Sequence, residues 1–325
     1  MWPLKGRLPT DVNLAVTERC QARCTMCNIW RRRESADLRA ETARRLFSDR
    51  LYSRVRRLGL GGGEPILHPD LPGLLEAVLG VLTGLEAVGL STNGLLPERT
   101  RSTCRRLAQL CSRAGAAFQV AVSLDGLGEV HDRVRGVPRA FERASRSIAA
   151  LQAAAKQLGF QVSVTATITR RNLGDLEPLR EWCRARALPL RFRVASVIER
   201  LDNAGCEEAI LLCDAERECV AAFLGDLAGD SQLDRDETRY YGGIAAMLRD
   251  GSRRRSGCLF PDRGVMVDAR GDLYHCSVGG GRLGNGVKES SYRLFFSRGG
   301  RHGRNRLKSA VCLWCWHDYP LRRRD

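Results

Sequence analysis

Residues 12–30 read Val12-Asn13-Leu14-Ala15-Val16-Thr17-Glu18-Arg19-Cys20-Gln21-Ala22-Arg23-Cys24-Thr25-Met26-Cys27-Asn28-Ile29-Trp30. A short β-rich run leads into three cysteines spaced C-x3-C-x2-C. Three thiolates at a strand end are one ligand short of a tetrahedral zinc site, which would need a fourth from elsewhere in the chain. The same three can hold three irons of a [4Fe–4S] cube and leave the fourth iron open to a chelating ligand. Spacing alone leaves both readings open.

Outward from this stretch, β-rich runs alternate with helical ones. Strands are expected at 12–16, 55–60, 87–90, 118–123, 161–168 and 190–195, where Val, Ile, Phe and Thr concentrate. Helices are expected at 38–49, 71–82, 98–114, 140–157 and 176–185. In the fourth of these, Ala144, Ile148, Ala149, Leu151 and Ala155 recur at helical spacing. Strands alternating with helices imply an α/β fold with a parallel sheet and right-handed crossovers. Periodicity does not separate a closed or partly open barrel from a flat doubly wound sheet. Residues 197–250 read as helical and irregular, with 216–227 the clearest helix. A boundary is expected near 251–255, and beyond it short strands at 264–267 and 273–276.

Thirteen cysteines in 325 residues call for an explanation. Residues 1–6 lack the apolar core of a secretory signal, and no stretch is apolar enough to span a membrane. A cytoplasmic location is therefore expected, where clustered cysteines point to metal rather than disulfides. A second set stands late in the chain: Cys258 and Cys276, separated by 17 residues, then Cys312-Leu313-Trp314-Cys315. Four thiolates there suit zinc or [4Fe–4S], and spacing alone leans to zinc. The net charge is +16, and the last 71 residues hold 14 Lys/Arg against 6 Asp/Glu, half of that excess. Such a field draws anions. The segment 298–308 is basic but lacks interleaved aromatics, so a single-strand nucleic-acid platform is not supported.

The cysteine triplet after the first strand resembles that of the radical S-adenosylmethionine (SAM) superfamily. The resemblance implies a partial (β/α)6 TIM-like barrel over 1–200. It also implies that Cys20, Cys24 and Cys27 hold a [4Fe–4S] cluster whose open iron binds SAM. Reductive cleavage would then give methionine and a 5′-deoxyadenosyl radical. Leu60-Gly61-Gly62-Gly63-Glu64-Pro65 resembles the superfamily's GGE motif, which implies SAM contacts at Gly62, Gly63 and Glu64. Ser91-Thr92-Asn93-Gly94 is similar to its S/T-N-G element, implying Thr92 and Asn93. The pair Ser123-Leu124-Asp125-Gly126 and His131-Asp132-Arg133-Val134-Arg135-Gly136 resembles the subgroup with SPASM or Twitch C-terminal domains. That implies Ser123 near SAM and Arg135 against its carboxylate. Thr167 and Asn172, near the end of the fifth strand, are implied to line the adenosine site. Arg193 alternates with Phe192 and, if it points inward, calls for an anionic partner.

The late cysteines resemble a Twitch-type domain at 253–325, joined through a helical linker region at 201–252. The resemblance makes Cys258, Cys276, Cys312 and Cys315 ligands of an auxiliary [4Fe–4S] cluster with no open iron, suited to passing an electron. Cys206 and Cys213 are candidate hydrogen-atom donors. The expected function is hydrogen abstraction from a small polar metabolite, sugar- or cyclitol-like, giving oxidation, epimerisation or rearrangement. A reducing partner such as flavodoxin or ferredoxin is implied. Two alternatives stand beside it. One is modification of a ribosomally made peptide, although a first strand starting near Asp11 leaves no expected room for a leader-binding domain. The other is a non-catalytic zinc or nucleic-acid-binding protein.

Overall fold

A computed structural model describes residues 7–32, 34–254 and 257–317. Six parallel strands form its centre: β1 (Asp11–Thr17), β2 (Arg57–Gly62), β3 (Ala87–Thr92), β4 (Ala117–Ser123), β5 (Gln161–Ile168) and β6 (Leu190–Val194). Each pairs with the next in sequence, so every connection is a crossover. The crossovers carry α1 (Ala40–Phe47), α2 (Leu71–Leu79), α3 (Pro97–Arg113), α4 (Gly128–Arg135), α5 (Ala140–Leu158) and α6 (Leu176–Arg184). The fold is the expected partial α/β barrel, open between its edge strands.

The two faces of these strands differ in chemistry. Leu14, Leu58, Val88, Val120, Val164 and Phe192 point outward and are buried beneath the helices. Their strand neighbours Asn13, Gly59, Gly89, Gln119, Ser163 and Arg191 face the lumen. Barrel interiors of this kind are ordinarily filled by branched apolar side chains. Here small and polar residues leave the lumen open. On α5, Ala144, Ile148 and Leu151 are buried as expected, whereas Ala149 is exposed. Ser147 is buried in its place, its hydroxyl donating to Gly94 O at 2.5 Å.

Beyond β6 come α7 (Glu207–Ile210), α8 (Asp214–Ala228) and α9 (Arg235–Asp250). The α8–α9 pair covers the outside of β6. Phe223 meets Phe192 edge-on at 4.9 Å, and Phe192 N–H donates to the Tyr241 hydroxyl at 3.1 Å. The expected linker region is thus a layer of the barrel wall. The expected boundary near 251–255 includes Arg255, which lies outside the described residues.

The chain then returns to the same sheet. After α10 (Phe260–Arg263), strand β7 (Gly264–Val267) pairs parallel to β1, Asp11 opposite Gly264 and Leu14 opposite Val267. Strands β8 (Asp272–Tyr274) and β9 (Arg282–Asn285) extend the edge antiparallel. The strand order is 6-5-4-3-2-1-7-8-9. Helices α11 (Ser291–Phe296) and α12 (Arg298–Arg306) follow. The basic segment is therefore largely helical, and Arg304 folds back over the Phe295 ring at 4.5 Å. Among the described residues no helix is long and apolar enough to cross a membrane.

Candidate active site

The loop after β1 has no regular hydrogen-bond ladder of its own, so its neighbours set its course. Gly63 N–H donates to Thr17 O at 2.8 Å and Glu64 N–H to Arg19 O at 2.7 Å, joining the β2 turn to the start of the loop. Arg23 N–H donates to Arg135 O and Thr25 N–H to Val134 O, joining the loop to the C-terminal end of α4. Asn203 Nδ2 donates to Met26 O at 2.8 Å. Arg270, from the turn between β7 and β8, reaches the buried Glu18 carboxylate at 3.0 Å. Cysteines carried by such a loop are held from several sides by the protein itself.

The loop presents Cys20, Cys24 and Cys27 to a cavity of about 600 Å³ in the barrel lumen. That size suits a small-molecule site. Burial, with nearby Cys24 adding to it, pushes the Cys20 thiol up to about 12 and the Cys27 thiol to about 11. Cys24 is raised by burial too, against the pull of Arg135, whose Nη1 lies 3.7 Å from its sulfur. Three buried, mutually repelling thiols fit a site whose negative charge is balanced by bound metal. Among the described residues no three His, Cys, Asp or Glu side chains converge as a single-ion site. Three thiols can hold three irons of a [4Fe–4S] cube and leave the fourth open, and the donor set fits that group.

Glu64, Thr92 and Asn93 line the cavity, and their side chains are engaged within the protein. The buried Glu64 carboxylate accepts from Ile66 N (3.1 Å), Thr92 Oγ1 (2.7 Å) and Asn93 N (2.6 Å). Burial pushes its pKa up, and these donors oppose the shift. Asn93 Nδ2 reaches Cys20 Sγ at 4.0 Å. Gly62 has φ +128°, and a Cβ there would overlap Thr17 O; one on Gly63 would overlap Arg19 O. These two glycines permit close approach to the cysteine loop. Gly61 is the one whose missing Cβ opens on empty space.

Arg135, expected against the SAM carboxylate, lines the cavity and is held there by Asp125. Its Nε sits 2.7 Å from Asp125 Oδ2 in a buried ion pair. Asp125 Oδ1 also accepts from Thr167 N at 2.8 Å. His131 Nδ1 accepts from Asp125 N at 2.9 Å, and burial pushes that imidazole down to about 2. The two motifs around Asp125 and Arg135 thus brace the wall behind Cys24. Asn172 is a brace as well, donating to Asp125 O and Thr167 O, and does not line the cavity. Ser123 and Thr167 do line it.

The hydrogen-donor expectation for Cys206 and Cys213 is not met. Cys206 packs among Met26, Val134 and Ile210, behind the wall, and Cys213 is exposed at the N-cap of α8; neither lines the cavity. A thiol must reach the substrate carbon to return a hydrogen atom. Lining residues absent from the sequence reading include Gln119, Ser163, Arg200, Ser277 and His317. The alternation along β4 and β5 carried the signal for the first two. The others come from irregular segments whose direction no periodicity reports.

Cys258, Cys276, Cys312 and Cys315 surround a smaller apolar recess, with His317 shared between it and the large cavity. Burial, with Cys258, Cys276 and Cys315 adding to it, pushes the Cys312 thiol up to about 12. Gly279 N–H donates to Cys276 Sγ at 3.2 Å and His317 N–H to Cys315 Sγ at 3.4 Å. Arg254 secures this turn, donating to His317 O at 2.7 Å and Cys315 O at 3.3 Å. Amide donors to sulfur are a feature of iron–sulfur sites.

A parallel partial barrel with three thiols at the mouth of an open polar lumen defines a cluster-binding enzyme of the barrel class. The chain matches the radical SAM superfamily over residues 14–183, just over half its length, and belongs to that family, whose cofactors are a [4Fe–4S] cluster and SAM. It is 29% identical over 176 residues to the Fe-coproporphyrin III synthase of Methanosarcina barkeri, covering 54% of this chain and 41% of that one. It is 31% identical over 217 residues to the GTP 3′,8-cyclase of Xanthomonas axonopodis pv. citri, covering 62% and 58%. The chain thus spans about half the length of these curated relatives. Among solved structures, anSMEcpe with bound AdoMet and Cp18Cys peptide shares the fold at a TM-score of 0.62 and 18% identity, covering 90% of this chain and 82% of that one. SuiB of Streptococcus suis bound to S-adenosylmethionine gives 0.60 and 16%, covering 90% and 66%.

Proposed function

We propose that this protein abstracts a hydrogen atom from a small polar metabolite, sugar- or cyclitol-like, giving an oxidised, epimerised or rearranged product. The observation that carries this reading is one chamber holding the three loop cysteines and a wall of hydroxyls and amides. Cys20, Cys24 and Cys27 would hold the cluster, and Gly61 leaves room beside it for SAM. When bound, the cluster supplies the electron that cleaves SAM and so the radical that attacks an unactivated C–H bond. Glu64, Thr92 and Asn93 keep the β2 and β3 turns against the cysteine loop. Arg135 and Asp125 fix Cys24. Ser123, Thr165 and Thr167 offer hydroxyls that orient a polyol. Cys258, Cys276, Cys312 and Cys315 would hold an auxiliary [4Fe–4S] cluster, and Arg254 and the two amide donors oppose the charge of its thiolates.

The test is anaerobic purification followed by reduction with SAM present. Release of 5′-deoxyadenosine, accelerated by sugars or cyclitols, is the expected outcome. Acceleration by peptides alone would replace the metabolite reading with peptide modification.

A further inference from the structure

We propose that Arg23, Trp30 and Arg31 form the docking surface for the reducing partner, an acidic protein that carries one electron. The assignment rests on the cysteine loop holding the cluster. Both guanidinium groups lie against one ring: Arg23 Cζ is 5.7 Å and Arg31 Cζ 5.0 Å from the centroid of Trp30. Both arginines are exposed, and the tryptophan is half-buried. The other arginines around the loop are committed to carboxylates. Arg19 pairs with Asp37 at 2.8 Å, Arg32 with Glu18, and Arg135 with Asp125 at 2.7 Å. Arg23 and Arg31 pair with no carboxylate among the described residues. The ring face attracts both cations and so keeps two positive charges together at the surface.

This pair of charges sits directly behind the ligand cysteines. Trp30 Nε1 donates to Cys27 O at 3.0 Å, and Arg23 immediately precedes Cys24. None of Arg23, Trp30 and Arg31 lines the cavity, whereas Cys24 and Cys27 do. The loop thus turns its thiols to the chamber and keeps the stacked arginines outside it. A carrier seated on the stack would reach the cluster site without entering the space that SAM and substrate need. The Trp30–Cys27 hydrogen bond gives a route from the docking face to a thiol through the bonds of one residue. Reductive cleavage of SAM needs an electron brought to the protein. The carrier gives up one electron and is oxidised, the cluster site is reduced, and no bond is made or broken at the interface. Encounters of electron carriers are small, below about 1,200 Å² of buried surface, and tryptophan and arginine dominate such contacts. Two cations on one aromatic suit a partner whose docking face is negative.

The experiment is calorimetric titration of the anaerobically reconstituted, SAM-saturated protein with oxidised flavodoxin and, in a parallel arm, a [2Fe–2S] ferredoxin, at low salt. Binding of one or both is expected, and it should weaken as salt is added. Arg23→Glu and Arg31→Glu should each weaken it by about tenfold or more. Exposed Arg101→Gln should leave it unchanged. Iron content is measured on every variant and should match the wild type; Arg31→Gln, expected between Arg31→Glu and wild type, serves if the Glu variant does not load. A second readout is the bleaching of cluster absorbance by pre-reduced flavodoxin at subsaturating concentration, whose rate should fall in step with affinity. No binding of either carrier by the wild type, or equal binding by the Arg23 and Arg31 variants, overturns the docking surface. Weakening by Arg306→Glu on α12 without weakening by Arg31→Glu overturns it as well, moving the carrier to the second cysteine set. Release of 5′-deoxyadenosine by the wild type with dithionite, a small reductant that needs no docking face, is scored separately. A failure of the radical reading is thereby distinguishable from a failure of the surface.

Discussion

The side chain of Asp125 has no exposed surface, yet it carries a charge matched by the nearly buried guanidinium of Arg135. Removing one partner of such a pair strands the other. Asp125→Asn should therefore cost about 3–5 kcal/mol, read as a lower urea midpoint. Next to it, burial and the nearby Arg135 charge keep His131 neutral, with its Nδ1 accepting from the Asp125 amide. Its folded pKa of about 2 lies below the ordinary 6.5, so the stability it contributes is complete above 6.5 and lost as pH falls. Between pH 7 and pH 5 the loss is about 2 kcal/mol. His131→Asn keeps an acceptor without the proton, and urea midpoints against pH should fall less steeply for it. Parallel slopes for the two proteins would remove His131 from the account.

At the scale of elements, the glycine turn after β2 separates two roles that one motif conceals. Gly63→Ala drives a Cβ into Arg19 O and should spread the cysteine loop, lowering iron content and melting temperature together. Gly61→Ala meets no protein atom, so it should fold and load iron normally while weakening SAM binding. Iron assay and SAM titration on the same two variants separate these outcomes. The six barrel strands and most of their helices were legible because alternation and apolar runs report local structure directly. β5 runs over the expected residues, and β1 to within one residue at each end. The lumen was less legible. Thr167 was expected to line the adenosine site and does border the cavity, but the rest of the lining was not read, since period two tells which residues share a face and not whether that face is packed. The bracing of Arg135 was not legible because a motif names a residue without its partner, and Asp125 supplies that partner ten positions earlier. The return of β7 to β1 was invisible, because pairing across some 250 residues leaves no local trace.

At the scale of the whole molecule, the two cysteine sets are neighbours around His317, which borders both recesses. Cys315→Ala should lower iron from about eight atoms per chain to about four, while SAM-dependent 5′-deoxyadenosine release persists because the lumen thiols are untouched. A wild type with about four irons and stoichiometric zinc would instead assign the second set to zinc.

The pairing of β7 with β1 also orders events during synthesis. β1 is made well before its partner β7 and keeps one edge bare until some 250 further residues have been added. Through that interval the earliest thiols stand beside an unsealed flank, accessible to whatever delivers iron and sulfide. Docking of the late strand then covers that flank of β1.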